Sequence, residues 1–191
     1  MKWTVTALTL TILVGGSLVM ASAAAKPTPT CNGLAATIVG AGVINGTSGP
    51  DVIVGSNGAD EIHANKGDDI VCGGNGDDWI DGSDGNDWID GGNGNDTLDG
   101  GRGLDTIQAA NGKDSVVGDE DGDTISGGNG KDSLNGQSGN DAISGGNGKD
   151  DLGGTGGNDT LDGDNGKDAL DGGSGSDACT GGRGKNTTKN C

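Results

Sequence analysis

The chain repeats itself every nine residues, and this period constrains its fold more than any other feature. Residues 46–189 divide into sixteen consecutive nine-residue blocks with no insertion or deletion, each following G-G-x-G-x-D-x-U-x with U aliphatic. Residues 91–99, GGNGNDTLD, are one complete copy. The sixth position is Asp in fifteen blocks and Asn186 in the last; the fourth is Gly in fifteen, and the eighth is Ile, Leu or Val in fourteen. A fixed short period of this kind marks a solenoid, in which each unit buries its apolar face only against its neighbours.

The block predicts its own local structure. A Gly-rich half such as Gly127-Gly128-Asn129-Gly130-Lys131-Asp132 permits positive φ and close backbone approach. The other half, such as Ser133-Leu134-Asn135, alternates polar, apolar, polar, the period of a short strand with one side chain pointing inward. Two blocks then make one coil of strand, loop, strand, loop. The third position supports an 18-residue coil: Asn57, Asn75, Asn93, Asn111, Asn129, Asn147 and Asn165 all fall in even-numbered blocks. So do the fifth-position residues Lys113, Lys131, Lys149, Lys167 and Lys185. The expected fold is all-β, a parallel β-solenoid with two nine-residue repeats per coil turn. Its interior column runs from Ile53 through Val71, Ile89 and Leu134 to Leu170.

Stacking such coils about 4.8 Å apart lines up Asp60, Asp78, Asp96, Asp114, Asp132, Asp150 and Asp168 on one edge. Asp51, Asp69, Asp87, Asp105, Asp123, Asp141, Asp159 and Asp177 line the other. Neighbouring carboxylates at that spacing repel by about 3 kcal/mol per pair at an effective dielectric near 20. A hard divalent cation between them reverses the sign. Calcium suits because it accepts six to eight oxygens in loose geometry, backbone carbonyls included, whereas magnesium demands a tight octahedron and zinc prefers Cys or His. Stacking offers up to about fourteen inter-turn sites.

Composition agrees. The chain has 44 Gly, no Phe, no Tyr, three Trp and a formal charge of −18 among its 191 residues. Low hydrophobicity with high charge ordinarily gives disorder, so the strict register implies a cation as the missing partner. Such a surface repels phosphate backbones and argues against a nucleic-acid role.

Residues 1–25 differ in kind. Lys2, an uncharged stretch over residues 4–20 and the small residues Ala21, Ser22 and Ala23 predict a secretory signal peptide. Residues 26–45 read as a leader and N-terminal cap, 46–189 as the calcium-binding roll and 190–191 as a C-terminal disulfide cap, with no membrane span after cleavage. Cys31, Cys72, Cys179 and Cys191 suit disulfides in an exported chain. Three connectivities are open; Cys31–Cys72 with Cys179–Cys191 is favoured because each pair staples one end, where a solenoid frays.

The blocks resemble the haemolysin-type, or RTX, calcium-binding nonapeptide repeats over about three quarters of the chain. The resemblance implies a right-handed parallel β-roll with calcium between consecutive G-G-x-G-x-D turns, metal roles for the sixth-position aspartates and ligation by turn carbonyls. Several departures stand out. No effector domain accompanies the repeats. Block nine reads Gly118-Asp119-Glu120-Asp121-Gly122-Asp123, with Gly displaced; Ala64 and Ala109-Ala110 replace turn glycines; Asn186 and Thr188 make block sixteen a degenerate cap.

The expected function is a secreted, extracellular, non-enzymatic calcium-binding protein. The alternative is a calcium-dependent cell-surface or matrix adhesion module that uses the outward Trp79 and Trp88 or the lysine column. An enzyme would need a pocket and a partnered base, and the single His63 reads as a solvated strand residue. An ice-binding face would want a Thr array that the Asn column lacks.

Overall fold

The computed structural model describes residues 27–191 and, of the first 26, two short strands, Thr11–Val14 and Ser17–Met20, paired antiparallel. Of the expected signal peptide, residues 1–25, only those two strands fall among the described residues, and the rest lies outside them.

From Ile38 onward the chain is a parallel β-solenoid of about eight coils. Its strands form two sheets, and each strand pairs with the one a coil later. One sheet runs Val43–Asn45, Glu61–His63, Trp79–Asp84, Thr97–Arg102, Ser115–Glu120 and on to Thr187–Lys189. The other runs Ile38–Val39, Val52–Val54, Ile70–Asn75, Trp88–Asn93, Thr106–Gly112 and on to Ala178–Thr180. The register is 18 residues in every rung but the first, as in Ile80 with Leu98 and Ile89 with Ile107; the first rung pairs Ile38 with Ile53, 15 residues on. No helix of the described residues is long and apolar enough to cross a membrane.

The eighth-position residues fill the space between the sheets. Ile53, Ile62, Val71, Ile80, Ile89 and their successors to Leu170 are all buried in one continuous column. The column opens at Ile44, one block ahead of the repeats, with Ile38 packed against it. At the other end Cys179 packs on the column at an eighth position. The disulfides are Cys31–Cys72 and Cys179–Cys191, one at each end. Cys31 belongs to a small antiparallel hairpin, Thr30–Cys31 with Leu34–Ala35, that the repeat pattern did not foreshadow.

The strands are longer than alternation alone suggests. In Trp88–Asn93 the pairing continues past the aliphatic position through Gly91 and Gly92 to Asn93. In the six-residue strands the first two positions of the next block thus belong to the sheet, whereas Thr124–Ser126, Ala142–Ser144 and Thr160–Asp162 stop short of them. Position one points inward: Ala64 and Ala109, which stand there, are fully buried in the core column. Position two takes a left-handed conformation in most blocks, whatever the residue. Asn65, Ser83, Ala110, Asp119, Gln137, Thr155 and Asp164 all occupy it with φ between 58° and 84°. A β-branched residue is least comfortable there. Thr155→Gly is therefore expected to stabilise the fold by about 1 kcal/mol, seen as a higher melting temperature in saturating calcium.

Candidate metal centre

The sixth-position aspartates are the buried charges of this molecule. Fourteen of them, from Asp51 every ninth residue to Asp168, are at most 7 % exposed; Asp177, in the last full repeat, is only partly covered. They form the two expected ladders, and the structure shows how each carboxylate is held. One oxygen, Oδ1, accepts the backbone N–H of the aspartate one coil earlier. Asp51 N–H donates to Asp69 Oδ1 at 2.7 Å, Asp96 N–H to Asp114 Oδ1 at 2.8 Å, and Asp141 N–H to Asp159 Oδ1 at 2.9 Å. The pattern runs unbroken along both edges, through the irregular block nine, where Asp105 N–H reaches Asp123 Oδ1 at 2.9 Å. There Asp121 adopts φ 73° in place of the displaced glycine.

The other oxygen, Oδ2, is the informative one. In the first two blocks it accepts the position-two N–H of its own turn, from Thr47 to Asp51 and from Ser56 to Asp60, each at 2.7 Å. In the next twelve, from Asp69 every ninth residue to Asp168, Oδ2 is buried with no hydrogen-bond partner. A buried, unpartnered carboxylate oxygen costs a few kcal/mol, and here the cost recurs twelve times in a regular array. A cost repeated in that form suits a cation between the turns.

Glycines shape the space around these oxygens. A Cβ on Gly91 would lie 2.6 Å from Asp96 Oδ2, and one on Gly73 would lie 2.5 Å from Asp78 Oδ2. Position one is thus kept small so that the carboxylate can fold back into its own turn. At position four a Cβ on Gly94 would collide with the Gly76 carbonyl oxygen, and one on Gly112 with that of Gly94. Those carbonyls therefore point along the stacking axis into the gap between successive turns. Carboxylate and carbonyl oxygens are the donor set of calcium. Among the described residues no three His, Cys, Asp or Glu side chains converge as a metal-binding group, so backbone oxygens must complete any shell, which zinc would not accept.

Electrostatics carry the same message. From Asp69 to Asp159, burial above all raises the pKa of each ladder carboxyl, opposed by the N–H bond to its carboxylate and reinforced in most by nearby carboxylates. Asp87 and Asp123 are pushed up to about 7, and Asp78, Asp105, Asp114 and Asp150 to about 6.

At the ends the array changes character. Thr37 and Gly42 occupy the places of earlier aspartates: the Thr37 hydroxyl donates to Asp51 Oδ1 at 3.2 Å and Gly42 N–H to Asp60 Oδ1 at 2.5 Å. At the C-terminus Asn186 continues the ladder, accepting the Asp168 N–H at 2.8 Å. Its amide nitrogen, standing where Oδ2 would be, donates to the Gly181 carbonyl, which makes it a closing residue and a poor metal ligand. Ala64 and Ala109 do not disturb the ladder, since Asp69 and Asp114 keep the same bonds and the same unpartnered oxygen.

Fold and site together define a class, the calcium-binding repeat proteins built as parallel β-solenoids. The chain belongs to the RTX calcium-binding nonapeptide repeat family, whose four-copy model matches residues 45–80, 73–107, 90–125, 117–152 and 153–187. No curated protein matches the chain.

Proposed function

We propose that this is a secreted protein whose aspartate ladders bind calcium between successive turns, and that calcium drives the coil to form. The twelve buried Oδ2 atoms without a partner carry this reading. Asp69, Asp78, Asp87, Asp96, Asp105, Asp114, Asp123, Asp132, Asp141, Asp150, Asp159 and Asp168 supply the carboxylate ligands, with turn carbonyls completing each shell. Asp51 and Asp60, already satisfied by Thr47 and Ser56, and the more exposed Asp177 contribute less. The stoichiometry is then about ten to twelve ions, fewer than stacking alone allows. The domain division follows: a signal peptide over residues 1–25, a leader and cap over 26–45, the roll over 46–189 and the disulfide cap at 190–191. Two disulfides fit an oxidising compartment, and export to a calcium-rich exterior would couple delivery to folding. Calcium here is structural, and the protein acts as a binding module rather than an enzyme.

The test is Asp114→Asn. Asn186 shows that an amide keeps the ladder bond while removing the anionic oxygen. The variant is expected to bind about one or two fewer calcium ions and to fold at a severalfold higher calcium concentration. Unchanged stoichiometry by calorimetry would remove Asp114 from the ligand set.

A further inference from the structure

We infer that the lysine-lined groove on the even-block edge binds a linear anionic polysaccharide, and does so once the aspartates beneath it hold calcium; that condition rests on the function proposed above. Lys113, Lys131, Lys149, Lys167 and Lys185 are all exposed, one per coil, about 4.8 Å apart along the axis. The other edge is different in kind: there Lys66, Asp84, Arg102 and Glu120 form a chain of ion pairs. Among the described residues none of the five lysines lies within ion-pair distance of a carboxylate, so their ammonium groups stand open to a partner. Five like charges held in a row by the backbone suit a partner with its own regular row of opposite charges.

The surroundings suit sugar. A groove of about 470 Å³ is lined by Lys113, Lys131 and Lys149 together with Thr97, Ser115 and Ser133, and the hydroxyl row ends C-terminally at the exposed carboxylate of Asp151. The lysines and hydroxyls occupy positions five and seven, flanking the buried aspartates at position six. The hydroxyl column continues one coil N-terminally to Trp79, paired in register with Thr97 and 38 % exposed. Its ring is steadied by an edge contact to His63, centroids 5.0 Å apart, and His63 in turn meets Glu61 at 3.2 Å. An aromatic platform, a row of hydroxyls and a row of cations is a combination that recognises a charged sugar chain. Single-stranded nucleic acid would want an aromatic for each of several bases, and this column has one.

Calcium enters through the floor. Asp96, Asp114, Asp132 and Asp150 also line the groove, and their carboxylates oppose any polyanion until cations neutralise them. At about ten ions the bound positive charge exceeds the formal −18 of the chain.

The test uses the full chain, dextran sulfate as probe and a Lys113→Gln/Lys131→Gln/Lys149→Gln variant. In calcium the wild type is expected to bind dextran sulfate with steep salt dependence and to ignore neutral dextran. The triple variant should bind at least about tenfold more weakly, with calcium-induced circular dichroism unchanged. Trp79→Ala should weaken binding severalfold without altering its salt dependence. Equal binding by the triple variant, or none by the calcium-folded wild type, overturns the proposal. Equal affinity for single-stranded DNA overturns the polysaccharide assignment. Lysine-dependent binding that persists in chelator keeps the groove and overturns its calcium dependence.

Discussion

Exhaustive chelation is expected to abolish nearly all β-sheet circular dichroism of this protein, and calcium to restore it over a narrow concentration range. The core is one aliphatic side chain wide on each strand, from Ile44 to Leu170. At about 2 kcal/mol per buried aliphatic that column cannot offset the ordering of a Gly-rich chain at about 1–2 kcal/mol per residue. The twelve unpartnered oxygens add a further penalty that only a cation lifts. Calcium bound to the coil alone contributes about 1.4 kcal/mol per site for each tenfold excess over its dissociation constant. About ten sites together give about 14 kcal/mol per tenfold rise, which makes the transition steep. Magnesium is expected to restore little, because it holds its waters and wants an octahedron. The two end disulfides keep the unfolded chain looped at its termini but supply no register to the coils between. Full β-structure in chelator, measured on calcium-free protein at neutral pH, would contradict this.

Acid is expected to substitute in part for calcium. In the folded chain the pKa values of Asp87 and Asp123 are pushed up to about 7, and those of Asp78, Asp105, Asp114 and Asp150 to about 6, against about 3.9 for Asp in an unfolded chain. Between these limits the coil holds more protons than the unfolded chain, so its stability falls as pH rises from about 4 to about 7. Calcium-free protein should therefore gain β-structure as pH falls from 7 towards 4. Conversely, calcium must displace protons from these carboxylates, so its apparent affinity should drop below pH 7 and binding should release protons into the buffer. Circular dichroism against pH on calcium-free protein, with calorimetry in buffers of different ionisation enthalpy, reads both effects. β-structure that increased with pH in the absence of calcium would show the sign to be wrong.

Much of this architecture was legible in the sequence because a solenoid's contacts sit at one fixed separation. The columns of Asn and Lys at 18-residue intervals announced the coil, and the spacing of Asp51 to Asp177 announced both ladders. Cys31 and Cys179, one near each end, announced the staples. What escaped was geometry that a period cannot encode. The pattern suggested bare repulsion between stacked carboxylates, whereas each Oδ1 is held by a backbone N–H and only Oδ2 is left over. The N–H groups of Thr47 and Ser56 satisfy Asp51 and Asp60 and set the first two turns apart. The signal was there, since both lie in the blocks nearest the cap, but it acquires meaning only once φ at position two is known. The lysine column is visible in the sequence as a surface for a partner, but not the freedom of its charges. The structure leaves those lysines without carboxylate partners, because position five points outward while the acids at position six turn in.

The most direct test is a count of bound calcium on folded protein, by calorimetry or by metal analysis after equilibrium dialysis. Ladders that are filled along their length give about ten to twelve ions per chain, bound in one steep phase together with the gain of β-structure. One or two ions, or a chain that stays fully coiled with none, would mean that the aspartates are held by something other than calcium.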